Sequence, residues 1–324
     1  MMLEHAYFII LAYIVDCIIG DPRWIPHPVI FMGRAITQLE RGVRRIAHTP
    51  KQLKAGGFLL PLILVGGVFL LTWGVLYLVA LIHPWLAWAL EVLLIATTIA
   101  TKGLKDAGME VYRHLRAGDM PAARRSLGMI VGRDTEHLDE PEIVRGTVET
   151  VAENIVDAIT SPLFYAAIGG APLAMAYRAV NTLDSMVGYK NEKYKDLGFA
   201  SARLDDVANW IPARITAILL TIAAWLLRHD ARSAWRTVRR DAKEHPSPNS
   251  GYPESAVAGA LGVRLGGHNV YKGIASFRAY MGEPKEPLRA DHIPMTVRLM
   301  YLSSAMFALI SAAILWLAAS SSMW

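Results

Sequence analysis

Long apolar runs alternate with polar segments along this chain, and each run is a candidate membrane-spanning helix. A helix needs roughly 20 mainly apolar residues to cross a hydrocarbon core of about 30 Å. On that length the pattern predicts four full spans, over residues 3–20, 56–82, 84–101 and 297–318. The pair His83-Pro84 divides the second span from the third, so we expect a helical hairpin there.

Two further apolar runs, 161–180 and 211–227, are less regular. The first is interrupted by Gly169, Gly170 and Pro172. Broken helices are tolerated at membrane depth where they line a protein cavity. We expect that both runs cross or that neither does, because a single crossing would put the basic segment after residue 227 on the outer side.

The basic residues lie mainly between the apolar runs. Residues 21–54 hold seven Lys and Arg against two acidic residues, and 102–160 and 228–295 are also rich in basic residues. Basic loops are retained on the cytoplasmic side, so we place these segments inside. The predicted fold is an all-α polytopic integral membrane protein. It forms a single membrane domain over 1–324, with cytoplasmic helical segments and a small Gly/Pro-rich cytoplasmic insertion at 228–295.

Composition narrows the function classes. Hydrophobic residues make up 53% of the 324 positions, and the mean hydropathy is +0.30, which is too apolar for two soluble domains. The net charge of +5 comes from basic residues in loops rather than on one recognition helix, so we expect no nucleic-acid partner. The single cysteine, Cys17, excludes an intramolecular disulfide and a zinc cluster of cysteines.

Charged residues cluster where the first predicted span ends. Asp16, Asp21, Arg23 and His27 lie within twelve residues of one another, and Asp16 is inside the apolar run. A charged group within a span is costly, which makes it a functional candidate. The alternative is that Asp16 caps or pairs locally and the nearby prolines only end the helix.

A second cluster is spaced for one helical face. Glu149, Glu153 and Asp157 recur every four residues, close to the 3.6-residue turn of an α-helix, and Asn154 lies among them. Like charges at this spacing repel one another, and no lysine separates them. Gathered carboxylates suit Mg²⁺, which shares its oxygen ligands with substrate phosphates. A solvated acidic face is the alternative.

A third set of polar residues flanks a bend that contains Lys190. Asn181 and Asp184 are three apart, as are Asp206 and Asn209, so each pair shares one side of a helix. With neighbouring arginines, among them Arg203, these acids and amides are typical of a metal and phosphate site at the membrane boundary. Arg178 and Arg214 have an alternative role as anchors that reach the interface.

The stretch 248–267 is rich in glycine and contains Asn249 and Arg264. Glycine lets backbone amides approach an anion closely. The spacing matches neither a Walker A loop nor a dinucleotide fingerprint, and tight turns would explain the glycines equally well.

Together these stretches resemble the adenosylcobinamide-phosphate synthase family, often called CobD or CbiB. The resemblance runs in order from residue 6 to about 275. Serine stands at 250 and 255 where the family pattern has alanine, and neither change alters a charged residue of the motif. The matching phrases are Gly20-Asp-Pro-Arg-Trp with His27-Pro28, Glu149-Thr-Val-Ala-Glu-Asn with Asp157 and Pro162-Leu-Phe-Tyr, Asn181-Thr-Leu-Asp-Ser-Met-Val-Gly-Tyr, Ala202-Arg-Leu-Asp-Asp, and Pro248-Asn-Ser-Gly-Tyr-Pro-Glu followed by Gly259-Ala-Leu-Gly-Val-Arg-Leu-Gly-Gly.

The resemblance implies ATP-dependent amide synthesis at the inner cell membrane, with the active site facing the cytoplasm. The substrates would be a corrinoid, adenosylcobyric acid, and an amino-alcohol phosphate, either (R)-1-aminopropan-2-ol phosphate or ethanolamine phosphate. ATP would be the co-substrate and Mg²⁺ the cofactor. Membrane lipids would surround the protein, and a homo-oligomer is left open.

The resemblance also implies roles for the residues singled out above, which would converge at the inner face of the lipid. Catalytic roles fall to Glu149, Glu153, Asp157 and His27. Metal ligation falls to Glu153, Asp184 and Asp206. Substrate and phosphate binding fall to Asp21, Arg23, Asn154, Asn181, Lys190, Arg203, Asn249 and Arg264.

Two other functions fit parts of the pattern. A Mg-dependent membrane prenyl- or alcohol-phosphate transferase would use Asn181-x2-Asp184 and Asp205-Asp206 on a diphosphate, without ATP and on a lipid substrate. A non-enzymatic transporter or sensor accessory protein would couple Asp16 with Arg178 and form no bond.

Overall fold

The structure is a computed structural model that describes residues 2–20 and 27–321. Its described part is mainly helical, with one two-stranded hairpin, which confirms the predicted all-α fold class. The elements are α1 (Met2–Ile18), α2 (Pro28–Ile46), α3 (Pro50–Gly57), α4 (Leu59–Ile82), α5 (Pro84–Ala96), α6 (Thr101–Arg116), α7 (Met120–Gly128), α8 (Glu140–Ile155), a π-helical turn (Val156–Thr160), α9 (Ser161–Val187), α10 (Phe199–Ala208), α11 (Trp210–Leu226), α12 (Ala231–Asp241), a 3-10 turn (Ala242–Glu244), α13 (Gly251–Leu261), β1 (Leu265–Tyr271), β2 (Ile274–Met281) and α14 (His292–Ser321).

The chain divides into two compact units, each assembled from separate stretches. The first unit comprises Met1–Ala100, Ser161–Asn209 and Ala308–Trp324. The second comprises Thr101–Thr160 and Trp210–Phe307. The prediction of a single membrane domain over 1–324 stays a prediction.

Within the described residues, four helical stretches are long and apolar enough to cross a membrane. They are Pro50–Ile82, Pro84–Arg116, Glu140–Val187 and His292–Ser321. A fifth would result if α10 and α11 together formed one broken span. These stretches contain the predicted spans at 56–82, 84–101, 161–180 and 297–318. The first prediction, 3–20, corresponds to α1, which has 17 residues.

His83 ends one long helix of the first unit and starts the next. Its backbone is extended, and its Nδ1 accepts a hydrogen bond from the Trp85 amide, 3.2 Å away. Pro84 occupies the first helical position, where its missing N–H is not needed. The helix break predicted at His83-Pro84 is therefore present.

The predicted interruption of α9 is also present. Gly169 and Gly170 have non-helical backbone angles, and Gly170 has a positive φ of 62°. The helix restarts at Ala171, whose amide donates to Glu91 Oε1 at 2.6 Å. A helix start leaves unpaired N–H groups that favour a negative charge, so the carboxylate of Glu91 caps the second half of α9. Pro172 lies in the first turn after the break, where proline is tolerated.

The core of the first unit joins α2, α4 and α9. Ile36, Leu60, Leu183 and Leu197 are fully buried within it. Burying side chains of this size stabilises a fold by about 1.5–3 kcal/mol each. Helix α3 approaches this core so closely that a Cβ at Gly57 would collide with the backbone carbonyl of Leu197.

In the second unit, α8 and α13 are buried along most of their length, and β1 and β2 form an antiparallel hairpin. Gly266 and Gly267 lie at an irregularity in the strand pairing and have positive φ angles of 81° and 98°. The glycines of the predicted insertion therefore shape a β-hairpin, which the all-helical pattern did not predict. The insertion itself contains two helices, α12 and α13, besides the hairpin.

Replacing Gly57 by alanine should lower the free energy of unfolding by about 1–3 kcal/mol, because the added methyl group overpacks a tight backbone contact. The matched control is Gly42→Ala in α2, where nothing lies within 4 Å of the added Cβ. That change should be neutral or stabilise by up to about 1 kcal/mol through helix propensity. Thermal unfolding in detergent measures both, and equal midpoints for the two variants would contradict the contact at Gly57.

Candidate functional site

In the second unit, Glu149 is a buried carboxylate with three donors. Arg133 Nη2 lies 2.7 Å from Oε2, while Arg145 Nη1 and the Gly266 amide lie 3.4 and 2.8 Å from Oε1. The side chain is only 5% exposed. A buried carboxylate is stable as an anion only when it is paired in this way.

The two arginines extend this network to β1. Arg145 donates to the carbonyl oxygens of Gly266 and His268, at 2.7 and 2.9 Å, and Arg133 donates to the side chain of Asn269. Glu149 therefore ties α8 to the hairpin. Its predicted catalytic role stays a prediction, and its contacts favour a positioning role.

Glu153 lies one helical turn further along α8 and is half-buried. Ser250 Oγ donates to its Oε1 at 2.8 Å. The hydroxyl group that an alanine at position 250 would lack therefore binds this carboxylate. The preceding residue, Asn249, accepts a hydrogen bond from Arg214 Nη1 at 3.3 Å.

Glu254 is a completely buried carboxyl group that the sequence analysis did not single out. Its exposure is 0%, and no described residue donates a hydrogen bond to either of its oxygens. His245 Nε2 lies 3.7 Å from Oε1. The Ser247 amide nitrogen and carbonyl oxygen lie 3.0 and 3.3 Å from His245 Nδ1, so Ser247 holds the imidazole ring in place beside Glu254.

Burial and neighbouring charges act together on this pair. Burial raises the pKa of Glu254 well above its usual value, and the negative charges of Glu153 and Glu149 raise it further against the opposing effect of Arg278. Burial also lowers the pKa of His245. Glu254 is consequently a neutral acid at pH values where an exposed glutamate is ionised.

The α-helical geometry that places the acidic residues on one face ends at Ile155. Glu149 and Glu153 share α8, whereas Asp157 lies in the following π-helical turn. There Thr160 Oγ1 donates to the carbonyl oxygen five residues back, at 2.9 Å. Asn154 is turned toward its own helix, since its Nδ2 donates to the Thr150 carbonyl oxygen. Single π-turns are frequent at functional sites.

Arg264 precedes β1 and is exposed. Its guanidinium lies 4.2 Å from the ring centroid of Tyr280, which orients it by a cation–π contact. In this way the second unit carries Glu149, Glu153, Asp157, Asn154, Asn249 and Arg264 of the predicted set.

The first unit holds a second polar cluster around Asn209, which is fully buried. Its amide Nδ2 donates to Asp205 Oδ2 at 3.0 Å. Its Oδ1 accepts hydrogen bonds from Ser161 Oγ and the Tyr177 hydroxyl, at 2.5 and 2.8 Å. A buried asparagine with donors and acceptors satisfied in this way fixes the position of Asp205.

Asp205 joins the two residue pairs predicted from sequence spacing. The side chain of Asn181 hydrogen-bonds to it, and the charge of Asp184 acts on it. A side chain at Gly188 would collide with the Asp184 carboxylate, so glycine is required there for Asp184 to keep its place.

Asp206 faces cationic groups in the same unit. Arg203 Nη1 lies 3.4 Å from its Oδ2, and the charge of Lys190 also acts on it. The first unit therefore holds five residues of the predicted set, which are Asn181, Asp184, Lys190, Arg203 and Asp206.

No group of three or more His, Cys, Asp or Glu side chains is arranged to hold a metal ion within residues 2–20 and 27–321. Mg²⁺ usually takes only one or two carboxylates and completes its shell with water and substrate phosphates. A buried Oδ1 of Asp205 that accepts no hydrogen bond, beside Asp184, fits such a donor set. The metal roles of Asp184, Asp206 and Glu153 stay predictions, and Glu153 belongs to the other unit.

The remaining predicted site residues lie at the start of the chain. Asp21 and Arg23 fall outside the described residues. His27 is the N-cap of α2, because its Nδ1 accepts a hydrogen bond from the Val29 amide at 3.2 Å.

The raised pKa of Glu254 predicts a pH-dependent stability. Its pKa is higher in the folded than in the unfolded chain, so its contribution to folding is complete below the unfolded value, near 4.5, and is lost as the pH rises through the folded value. The thermal midpoint of Glu254→Gln in detergent should therefore fall less between acid and alkaline pH than that of the unchanged protein. Glu244→Gln, an exposed control, should keep the original slope, and the same slope in Glu254→Gln would mean that Glu254 does not titrate in the folded state.

A family model described as CobD/Cbib protein matches residues 9–300 of the chain. Cobalamin biosynthesis protein CobD of Klebsiella pneumoniae subsp. pneumoniae is 50% identical over 296 residues, which cover 91% of this chain and 93% of that protein. Cobalamin biosynthesis protein CbiB of Salmonella arizonae is 49% identical over 311 residues, covering 95% and 97%.

Cobalamin biosynthesis protein CobD of Geobacter metallireducens is likewise 49% identical over 311 residues, covering 96% of this chain and 97% of that protein. No solved structure matches the chain. The match to the family model and the identity to these relatives both extend over most of the chain, and they confirm the resemblance drawn from the sequence phrases. The chain belongs to the CobD/CbiB protein family.

Proposed function

We propose that this chain joins adenosylcobyric acid to an amino-alcohol phosphate by ATP-dependent amide synthesis. A place in cobalamin biosynthesis is supported by the names of relatives that are about 50% identical over more than nine-tenths of the chain. That observation carries the proposal. The two polar clusters described above supply the groups that the chemistry needs.

A carboxylate does not react with an amine until one of its oxygens becomes a leaving group. Transfer of the γ-phosphoryl group of ATP to the corrinoid carboxylate would give an acyl phosphate and ADP. The amine nitrogen would then attack the carbonyl carbon, the carbon–oxygen bond to phosphate would break, and inorganic phosphate would leave. The amino alcohol enters as an ammonium group, so its protons must be accepted by the protein or by water.

The cluster of the first unit suits the phosphoryl-transfer part of this sequence. Asp184 and Asp206, with Asp205 between them in the network, would hold Mg²⁺, which neutralises phosphate charge when bound. Arg203 and Lys190 supply positive charge beside Asp206, where phosphate oxygens require it.

The cluster of the second unit suits proton transfer. Glu153 is half-buried, and one of its oxygens is oriented by Ser250. We assign it the role of accepting the ammonium proton, since a positioned carboxylate is a suitable general base. Glu149 would position Glu153 by fixing α8 against the hairpin. His27, the base expected from the sequence, uses its Nδ1 in the cap of α2.

The reaction itself is the first test. Purified protein in detergent, given adenosylcobyric acid, Mg-ATP and each amino-alcohol phosphate in turn, should yield the mass of the amide with one donor, together with ADP. Omission of ATP should abolish the product. Transfer to a lipid without ATP would support the prenyl- or alcohol-phosphate transferase instead, and substrate flux without a new bond would support the transporter.

Replacing Glu153 by glutamine should lower kcat by about 10²- to 10⁴-fold, because the base is lost while the shape of the side chain is kept. The matched control is Glu140→Gln, an exposed residue of the same helix, which should keep nearly full activity. Both variants should insert into the membrane and purify like the unchanged protein. Full activity of Glu153→Gln would remove this residue from the catalytic site.

A further inference from the structure

Helix α12 of the second unit presents a strongly basic face. Arg232, Arg236 and Arg239 are exposed, and they recur at the i, i+4, i+7 spacing of one helical side. Trp235, which is 43% exposed, lies on the same side. We call these four residues the arginine face.

The orientation of this face is fixed by the packing of the opposite side. Ala234, Thr237, Val238 and Asp241 are buried. A Cβ at Gly259 of α13 would lie 2.7 Å from the Cα atom of Ala234, so the two helix backbones are in close contact. Helix α12 therefore cannot turn its arginines inward without losing that contact.

Within the described part of the chain, no acidic side chain forms a salt bridge with Arg232, Arg236 or Arg239. The charge of Arg236 acts on Glu283 from beyond salt-bridge distance. By contrast, the neighbouring Arg240 pairs with Asp241 and Glu283 at 2.5 and 2.6 Å. Three guanidinium groups that form no salt bridge and share one helical side favour an anionic partner.

Helix α11, which immediately precedes α12, indicates where that partner lies. Its exposed side carries Ile218, Ile222, Trp225 and Leu226, which are 41–69% exposed. Arg214 is the only charged residue in the helix. An exposed side composed of isoleucine and tryptophan is typical of contact with lipid, and a tryptophan in the last turn is typical of the boundary between hydrocarbon and headgroups.

Only four residues separate the end of α11 from the start of α12, a contour length of at most about 14 Å. Arg228 in this linker is exposed. Arg298 of α14 is exposed too, and its charge acts on His229 of the linker. The linker that leads to the arginine face therefore carries a further exposed arginine, and the charge of Arg298 acts on the same linker.

We propose that the arginine face binds the headgroups of anionic phospholipids in the membrane that the protein spans. The guanidinium groups match phosphate oxygens in geometry and charge, and Trp235 is suited to the interfacial layer. Clusters of basic residues beside a membrane span bind anionic lipid surfaces by this electrostatic mechanism. Because the helix buries its apolar side against the protein, it contacts headgroups without inserting into the hydrocarbon.

The test compares lipid retention in variants with matched charge. The protein is purified in detergent, mixed with phosphatidylglycerol or phosphatidylcholine, and analysed by native mass spectrometry. The unchanged protein should retain phosphatidylglycerol about tenfold or more over phosphatidylcholine, given the attraction expected for several basic groups. The variant with Arg232→Gln, Arg236→Gln and Arg239→Gln should lose most of that preference.

Two controls separate this site from a general effect of charge. A variant with Arg113→Gln, Arg116→Gln and Arg125→Gln removes the same charge from exposed positions on α6 and α7 and should keep the preference. The variant with Arg232→Lys, Arg236→Lys and Arg239→Lys should keep the preference, because it keeps the positive charge, and high salt should weaken it. Unchanged phosphatidylglycerol retention in the glutamine variant of the arginine face, or an equal loss in the α6–α7 variant, would overturn the proposal. Tighter binding of RNA than of phosphatidylglycerol to the unchanged protein would also overturn it.

Discussion

Removing a carboxylate from water costs several kcal/mol unless the protein supplies compensating groups, and this constraint organises both units. In the second unit, the charge of Glu149 is met by Arg133, Arg145 and the Gly266 amide. Each arginine also binds an oxygen of β1, so the compensation of one charge fixes a helix, a loop and a hairpin relative to one another. The position of Glu153, one turn further along α8, depends on that arrangement.

The neighbouring acids receive different numbers of hydrogen bonds. This difference separates a carboxylate that holds the structure together from acids that are candidates for a role in the reaction. Glu149 has donors on both oxygens, Glu153 has Ser250 on one, and Glu254 has none among the described residues. A fully paired carboxylate is held as an anion, whereas an unpaired buried one is held as a neutral acid. Accepting a proton from the substrate requires a carboxylate oxygen that other groups leave accessible. We therefore assign this role to Glu153, of which one oxygen accepts a hydrogen bond from a described residue, rather than to Glu149, which uses both of its oxygens.

Local rules of the sequence predicted the features that depend on a few neighbouring residues. The backbone preferences of proline and glycine predicted the helix breaks at His83-Pro84 and Gly169-Gly170. The three-residue spacing of polar side chains predicted the cluster around Asp184. The partners Glu91 and Arg133 are 80 and 136 residues from the groups they bind, so no local pattern could identify them. Glu254 stood inside a matching phrase, but only the packing around α13 reduces its exposure to zero.

The hydrogen bond between Ser161 and Asn209 joins the two ends of one segment of the chain. Ser161 and Asn209 are the first and last residues of the middle one of the three stretches that make up the first unit. Their side chains are 2.5 Å apart. The two ends of this 49-residue segment therefore lie next to each other, so the segment forms a closed loop of the chain. Because its ends are close together, the segment can be lengthened, shortened or inserted as a whole while the backbone on either side keeps its path.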